Sequence, residues 1–266
     1  MICTLGDLLL DVVVLLDGPI AEDTDTYGRT RVGPGGQAAN VAAWIAALGA
    51  RSRFVGKRAR DPAGQMLAGE LTRRGVDVAG PEVEAGTGTV VSLARADGTR
   101  TMLTDRGVSP SFRVKEIDPA WLSDCDHLHL PGYSLTADPL RATALAAAAE
   151  ARRVSVDLSS TAAIRGTGVD AFRAALAAAR PEIVFANAAE AELVGEIDAP
   201  TVIVKLGADG CTVRAPGAET RYDAVPAEVV DTTGAGDAFA AGFLVGGPEL
   251  ALEAAARCVS RAGAMP

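Results

Sequence analysis

Short runs of β-branched and aliphatic residues alternate along this chain with longer Ala- and Leu-rich stretches. The short runs at 2–5, 52–55, 127–130, 154–157, 183–186 and 201–205 predict strands. The stretches 38–48, 63–74, 139–152, 169–179, 236–245 and 250–261 predict helices. Strands that alternate with helices imply an α/β fold with a mainly parallel sheet covered on both faces. Two segments break the alternation. Residues 12–31 run from aliphatics into the polar stretch AEDTDTYGRTR, and residues 87–104 read TGTVVSLARADGTRTMLT, with Asp97 and Gly98 placed like a hairpin turn. Both predict β excursions from the main sheet or hairpins that decorate its edge. Neither an internal repeat nor a low-complexity linker divides the chain, so 1–266 reads as a single domain.

Chemistry concentrates in two glycine-containing segments. DTTGAGDAF, residues 231–239, sets Gly234, Ala235 and Gly236 directly before Asp237, and an apolar helix follows. Glycines leave backbone N–H groups unobstructed, and a helix N-terminus adds partial positive charge, so the segment is a cradle for an anion. A carboxylate there needs a purpose: to accept the proton of a hydroxyl that attacks phosphorus, or to cap the helix. PGGQAANVA, residues 34–42, pairs Gly35 with Gly36 in a predicted turn. It then places Asn40, which both donates and accepts hydrogen bonds, at the entry of another helix.

The two segments together resemble the two signatures of the ribokinase-like, or PfkB, carbohydrate kinase family. Three weaker features fall in the family's order: LGDLLLD at 5–11, NAAE at 187–190 and VKLGADG at 204–210. The resemblance covers nearly the whole chain. It implies a three-layer sandwich with a small β-sheet lid, formed by 12–31 and 87–104, over a sugar. It implies that Asp237 is the base and that Gly234, Ala235 and Gly236 cradle the phosphoryl group. Asp11, Gly35, Gly36 and Asn40 would bind the sugar. Asn187, Lys205, Gly207 and Gly210 would line the nucleotide, with adenine near 227–230 and the last helix. Glu190 would hold Mg²⁺ through water, although Asn187 and Glu190 also fit a helix capping box. Asp231 and Thr233 would hold a monovalent cation such as K⁺, or form an ordinary Asx turn.

The chain also departs from the family. Leu9 and Gln37 stand where ribokinases carry asparagine and lysine, which weakens a ribose assignment. Residues 58–60 carry arginines in place of small and acidic residues, and 190–205 is short for a helix and a strand. GTR at 98–100 resembles the fructose and 2-keto-3-deoxygluconate kinases. Arg100 and Arg106 would meet an acidic substrate group or stand as solvated strand charges. The expected activity is ATP-dependent phosphorylation of a primary hydroxyl of such a sugar. A nucleoside or vitamin kinase and a non-catalytic regulator are the alternatives; a 4% aromatic content disfavours base stacking in the first.

Bulk properties narrow the partners. A net charge of −9 lacks the basic face that nucleic acid requires. The apolar N-terminus carries Asp7, Asp11 and Asp17 without a basic region, so it predicts neither a signal peptide nor a membrane span. Four scattered cysteines and two histidines make no zinc pattern and no disulfide framework, which fits reduced thiols and a cytoplasmic location. An uncovered lid, with Val90, Val91 and Leu93 as its apolar face, predicts a homodimer through the lid.

Overall fold

The structure is a computed structural model that describes residues 1–95 and 100–266, Arg100 by its backbone alone. The Asp97–Gly98 turn and the GTR side chains lie outside the described residues. The strands are β1 (Ile2–Leu5), β2 (Leu9–Leu16), β3 (Gly28–Gly35), β4 (Ser52–Val55), β5 (Arg58–Ala59), β6 (Val76–Ala79), β7 (Glu82–Val83), β8 (Thr89–Ala94), β9 (Arg100–Asp105), β10 (His127–Pro131), β11 (Val154–Asp157), β12 (Ile183–Asn187), β13 (Thr201–Lys205), β14 (Cys211–Ala215) and β15 (Ala218–Tyr222). The helices are α1 (Gln37–Ala47), α2 (Pro62–Arg73), α3 (Leu140–Glu150), α4 (Thr161–Thr167), α5 (Val169–Ala179), α6 (Ala188–Val194), α7 (Ala235–Gly246) and α8 (Pro248–Val259).

Nine strands form the main sheet in the order β15-β14-β13-β12-β11-β10-β1-β4-β6, parallel from β13 to β6 and antiparallel at β14 and β15. Alternate side chains of β12 explain the layers. Val184 and Ala186 pack into one core with α3, α4, α5 and α6. Ile183 and Phe185 pack into another with α1, α7 and α8. A third cluster seals α1 and α2 against Phe54 and Val76. The result is a three-layer α/β sandwich.

The two β excursions join into one smaller sheet, β3-β2-β8-β9, through the parallel pair β2–β8. Its strands begin earlier than the expected 12–31, because Leu9 already pairs with Gly35. The expected Gly35–Gly36 turn is corrected: Gly35 ends β3, and only Gly36, at the entry of α1, takes a positive φ of 92°. The expected apolar face is also corrected. Only Val90 departs from it: Val90 stands opposite Asp11 and, like Met102, lines the interior cavity, whereas Val91 shares the outer face with the exposed Val32 and Leu103.

The fold accommodates two departures from the family pattern. Residues 190–205 hold part of the two-turn helix α6 and the whole of β13. Arg58 and Arg60 face Glu82 and Glu84 beside the small β5–β7 pair, outside the cavity lining. Among the described residues no helix is long and apolar enough to cross a membrane. All four cysteines are free and buried.

Candidate active site

The chain runs outward from β1 to β4 and β6, then returns to β10 on the other side of β1. Such a switch opens a crevice at the carboxyl ends of parallel strands. A cavity of about 1300 Å³ lies there. Asp157 ends β11, Asn187 ends β12 and Lys205 ends β13, and all three line it. Leu9, Asp11, Val90 and Thr104 bring in the small sheet. α7 enters with Gly236 and Asp237 in its first turn.

Asn40 Nδ2 donates to Asp237 Oδ2 at 2.7 Å, which ties the two glycine segments together across the cavity. Burial pushes the Asp237 carboxyl up to about 7, Asp157 and Asp11 add to the rise, and the Asn40 bond and Lys205 oppose it. Asn40 Oδ1 is buried without a hydrogen-bond partner, an acceptor left for a ligand hydroxyl. Burial also raises Asp11, to about 6. A Cβ at Gly35 would fall 2.1 Å from the Asp11 carboxyl, so only glycine leaves that acid its place.

Lys205 Nζ donates to Asp157 Oδ2 at 2.5 Å. Burial alone would push the ammonium down, but Asp157, Glu190 and Asp237 outweigh it and hold its pKa above the usual lysine value. Asn187 and Glu190 do form the capping box: Asn187 Oδ1 accepts from Glu190 N, and Glu190 Oε2 accepts from Asn187 N, each at 2.8 Å. Burial and the Asp157 charge raise Glu190. Capping and site membership therefore coincide, since both residues line the cavity.

Gly234 caps α7 in the left-handed region, with φ 79°. Ala235 N donates to the Thr232 carbonyl at 3.3 Å, and Gly236 and Asp237 follow it in the first turn, where they line the cavity. Asp231 forms the Asx turn, accepting from Thr233 N at 2.9 Å and also from Gly263 N at 3.0 Å. Gly207 and Gly210 both take positive φ in the β13–β14 hairpin. The far end of the cavity is apolar, lined by Val225, Ala227 and Val229 with Ala255, Ala256 and Val259 of α8. This is where the sequence places adenine.

Arg106 is neither solvated nor open. It forks onto Asp7, with Nε–Oδ2 at 2.7 Å and Nη2–Oδ1 at 2.9 Å, and also donates to the Tyr133 carbonyl. The sequence reading missed Asp7, Tyr133, Asp157, Ser159 and Ser160, which also line the cavity. Only Asp157 left a signal: an acid closing a strand otherwise apolar enough for a buried parallel sheet.

A family model described as "pfkB family carbohydrate kinase" matches residues 1–265, and the chain belongs to that family. An ATP-dependent ribose-1-phosphate kinase of Halopiger xanaduensis is 34% identical over 270 residues, covering 95% of this chain and 88% of that one. Fructokinase-1 of Oryza sativa subsp. japonica is 30% identical over 271 residues, covering 92% and 82%. The adenosine kinase of Sinorhizobium meliloti shares the fold, with a TM-score of 0.88 at 24% identity over 100% of this chain and 95% of that one. The fold is the ribokinase-like one, common to ATP-dependent kinases of sugars and nucleosides.

Proposed function

We propose that the protein transfers the γ-phosphoryl group of ATP to a primary hydroxyl of a small sugar in the cytoplasm. The observation that carries this reading is Asp237: a carboxylate poised near neutrality, oriented by Asn40, in the first turn of a helix whose N-terminus lines the cavity. The acceptor oxygen forms a bond to phosphorus, the bond to the bridging oxygen breaks, and Asp237 takes the hydroxyl proton. The amides of Gly236 and Asp237 stabilise the charge on the phosphoryl oxygens. Asp11, Gly35, Gly36 and Asn40 hold the sugar. Gly207, Gly210 and the apolar end hold the nucleotide.

The residues present fit ATP and its metal. Mg²⁺ keeps most of its waters and takes few protein ligands, and Glu190 offers one buried carboxylate at the cavity wall. There it would hold, through water, the Mg²⁺ that neutralises phosphate charge. Asp231 and Thr233 would hold any monovalent cation. A second copy would cover the exposed Val32 and Leu103 on the outer face of the small sheet.

The acceptor end favours a neutral sugar of the fructose type. Arg106 is the sole cation among the described residues lining that end, and Asp7 already neutralises it. Asp11 and Asp237 add two carboxylates, which disfavours a sugar acid such as 2-keto-3-deoxygluconate. The Halopiger relative supports a second reading, a sugar 1-phosphate, for which Arg106 must turn from Asp7 to the acceptor. ADP release measured with fructose, 2-keto-3-deoxygluconate, ribose 1-phosphate and adenosine tests this. The largest kcat/KM is expected for fructose. A larger value for ribose 1-phosphate would install the second reading, and none for any acceptor would favour a regulator.

A further inference from the structure

We infer that Lys205, aimed by Asp157, is the side-chain cation that meets the transferring phosphoryl group. The inference rests on the phosphoryl-transfer reading above and adds a catalytic residue and a positioning residue to it.

The pair has little reason to exist for stability. Asp157 is 1% exposed and the Lys205 side chain 16%. A buried ion pair commonly breaks even, or loses, against apolar residues of the same size. This one lies in the wall of a ligand cavity. Its location is specific: a Cβ at Gly236 would lie 3.3 Å from Lys205 Nζ, so the ammonium stands beside the first turn of α7. First-turn amides, the helix N-terminal charge and the ammonium therefore converge on one place.

The charge balance points the same way. Among the described residues lining the cavity, the cations are Lys205 and Arg106, and Arg106 is held by Asp7 at the acceptor end. Lys205 alone faces the Asp157, Glu190 and Asp237 carboxylates. Entry of a triphosphate among those acids requires a positive partner. An ammonium has three donors, and Asp157 takes one. Asp157 is itself fixed, since its Oδ1 accepts from Ser159 N at 3.0 Å. It can aim the lysine without following it.

In the transfer step, Lys205 keeps its proton and donates a hydrogen bond to a non-bridging oxygen of the γ-phosphoryl group. The acceptor oxygen–phosphorus bond forms as the bridging bond breaks, and Asp237 receives the proton. Asp157 touches no reacting atom and acts through the lysine.

The test compares AMP-PNP with AMP by calorimetry in Mg²⁺ buffer, together with fructose-dependent ADP release. Lys205→Met is expected to bind AMP-PNP at least about tenfold more weakly and AMP unchanged, because the lost bond is charge-assisted. Turnover should fall on the order of 10²–10³-fold with fructose KM nearly unchanged. Lys205→Arg should recover part of both losses. Asp157→Asn should lower the AMP-PNP to AMP affinity ratio less than Lys205→Met does. Lys205→Met leaves Asp157 buried and unpaired, so the double variant Lys205→Met/Asp157→Asn, which removes both charges, must show the same loss. An unchanged affinity ratio in Lys205→Met and the double variant would overturn the inference. If fructose is not turned over, the affinity ratio alone decides. A wild-type protein that binds no AMP-PNP overturns the phosphoryl-transfer reading, and this inference with it.

Discussion

Asp237 combines two demands that oppose each other. A base must be charged to accept a proton, yet its place on the cavity wall disfavours charge and raises it to about 7. Its activity should therefore follow its ionisation. The logarithm of kcat/KM is expected to rise with pH up to about 7 and then level, read from initial rates across pH 5–9. Asp237→Asn keeps the size and removes the base. Its turnover is expected to drop by roughly 10²–10⁴-fold. The same substitution should act on stability with the opposite sign. The folded carboxyl titrates above its unfolded value, so wild-type stability is full below about 4 and is lost as pH rises through about 7. Asp237→Asn should melt several degrees higher than wild type at pH 8.5, on the order set by a domain of this size. The gap should close as pH falls toward 4, and a gap independent of pH would refute the buried-charge account. Asp237 and Asn40 were legible because glycines and a helix start mark them in sequence. Asp7 was not, and Asp157 showed only as an acid closing a strand, because their partners, Arg106 and Lys205, lie far along the chain and meet them only in the fold.

At the scale of elements, the predicted strands at 2–5, 52–55, 154–157 and 201–205 coincide with β1, β4, β11 and β13. They are runs apolar enough to be buried on both faces. The elements that escaped notice are short or wet. Asp77 is exposed in the edge strand β6, and α4 spans 7 residues held by a Ser160 cap. Neither carries a period long enough to read. The start of α7 depends on a single glycine. Gly234 has φ 79°, and a Cβ there would come within 2.6 Å of the Ala264 main chain. Gly234→Ala is expected to destabilise the fold by about 1–3 kcal/mol in urea denaturation. It should also cost turnover more than fructose KM, because the Gly236 and Asp237 amides move with the cap. Unchanged stability and turnover would mean the loop has room the structure denies it.

Across the whole molecule, the small sheet closes one end of the cavity and the main sheet with α7 supplies the other. The sequence foresaw both excursions as β and, through the resemblance, as one small sheet, but not that β2 and β8 would pair in parallel, since that pairing is non-local. If the small sheet acts as a lid, fructose with AMP-PNP should slow hydrogen exchange in 9–16 and 89–94 and leave the interior strand β12 unchanged. Equal exchange with and without ligand would argue for a fixed wall.

The central claim is phosphoryl transfer with Asp237 as base, and ³¹P NMR of ATP and fructose with wild-type protein and Asp237→Asn tests it most directly. The predicted result is one phosphate monoester formed per ADP by the wild type, while Asp237→Asn binds AMP-PNP normally but forms the ester roughly 10²–10⁴-fold more slowly. Ester formation at the wild-type rate by Asp237→Asn would contradict the account.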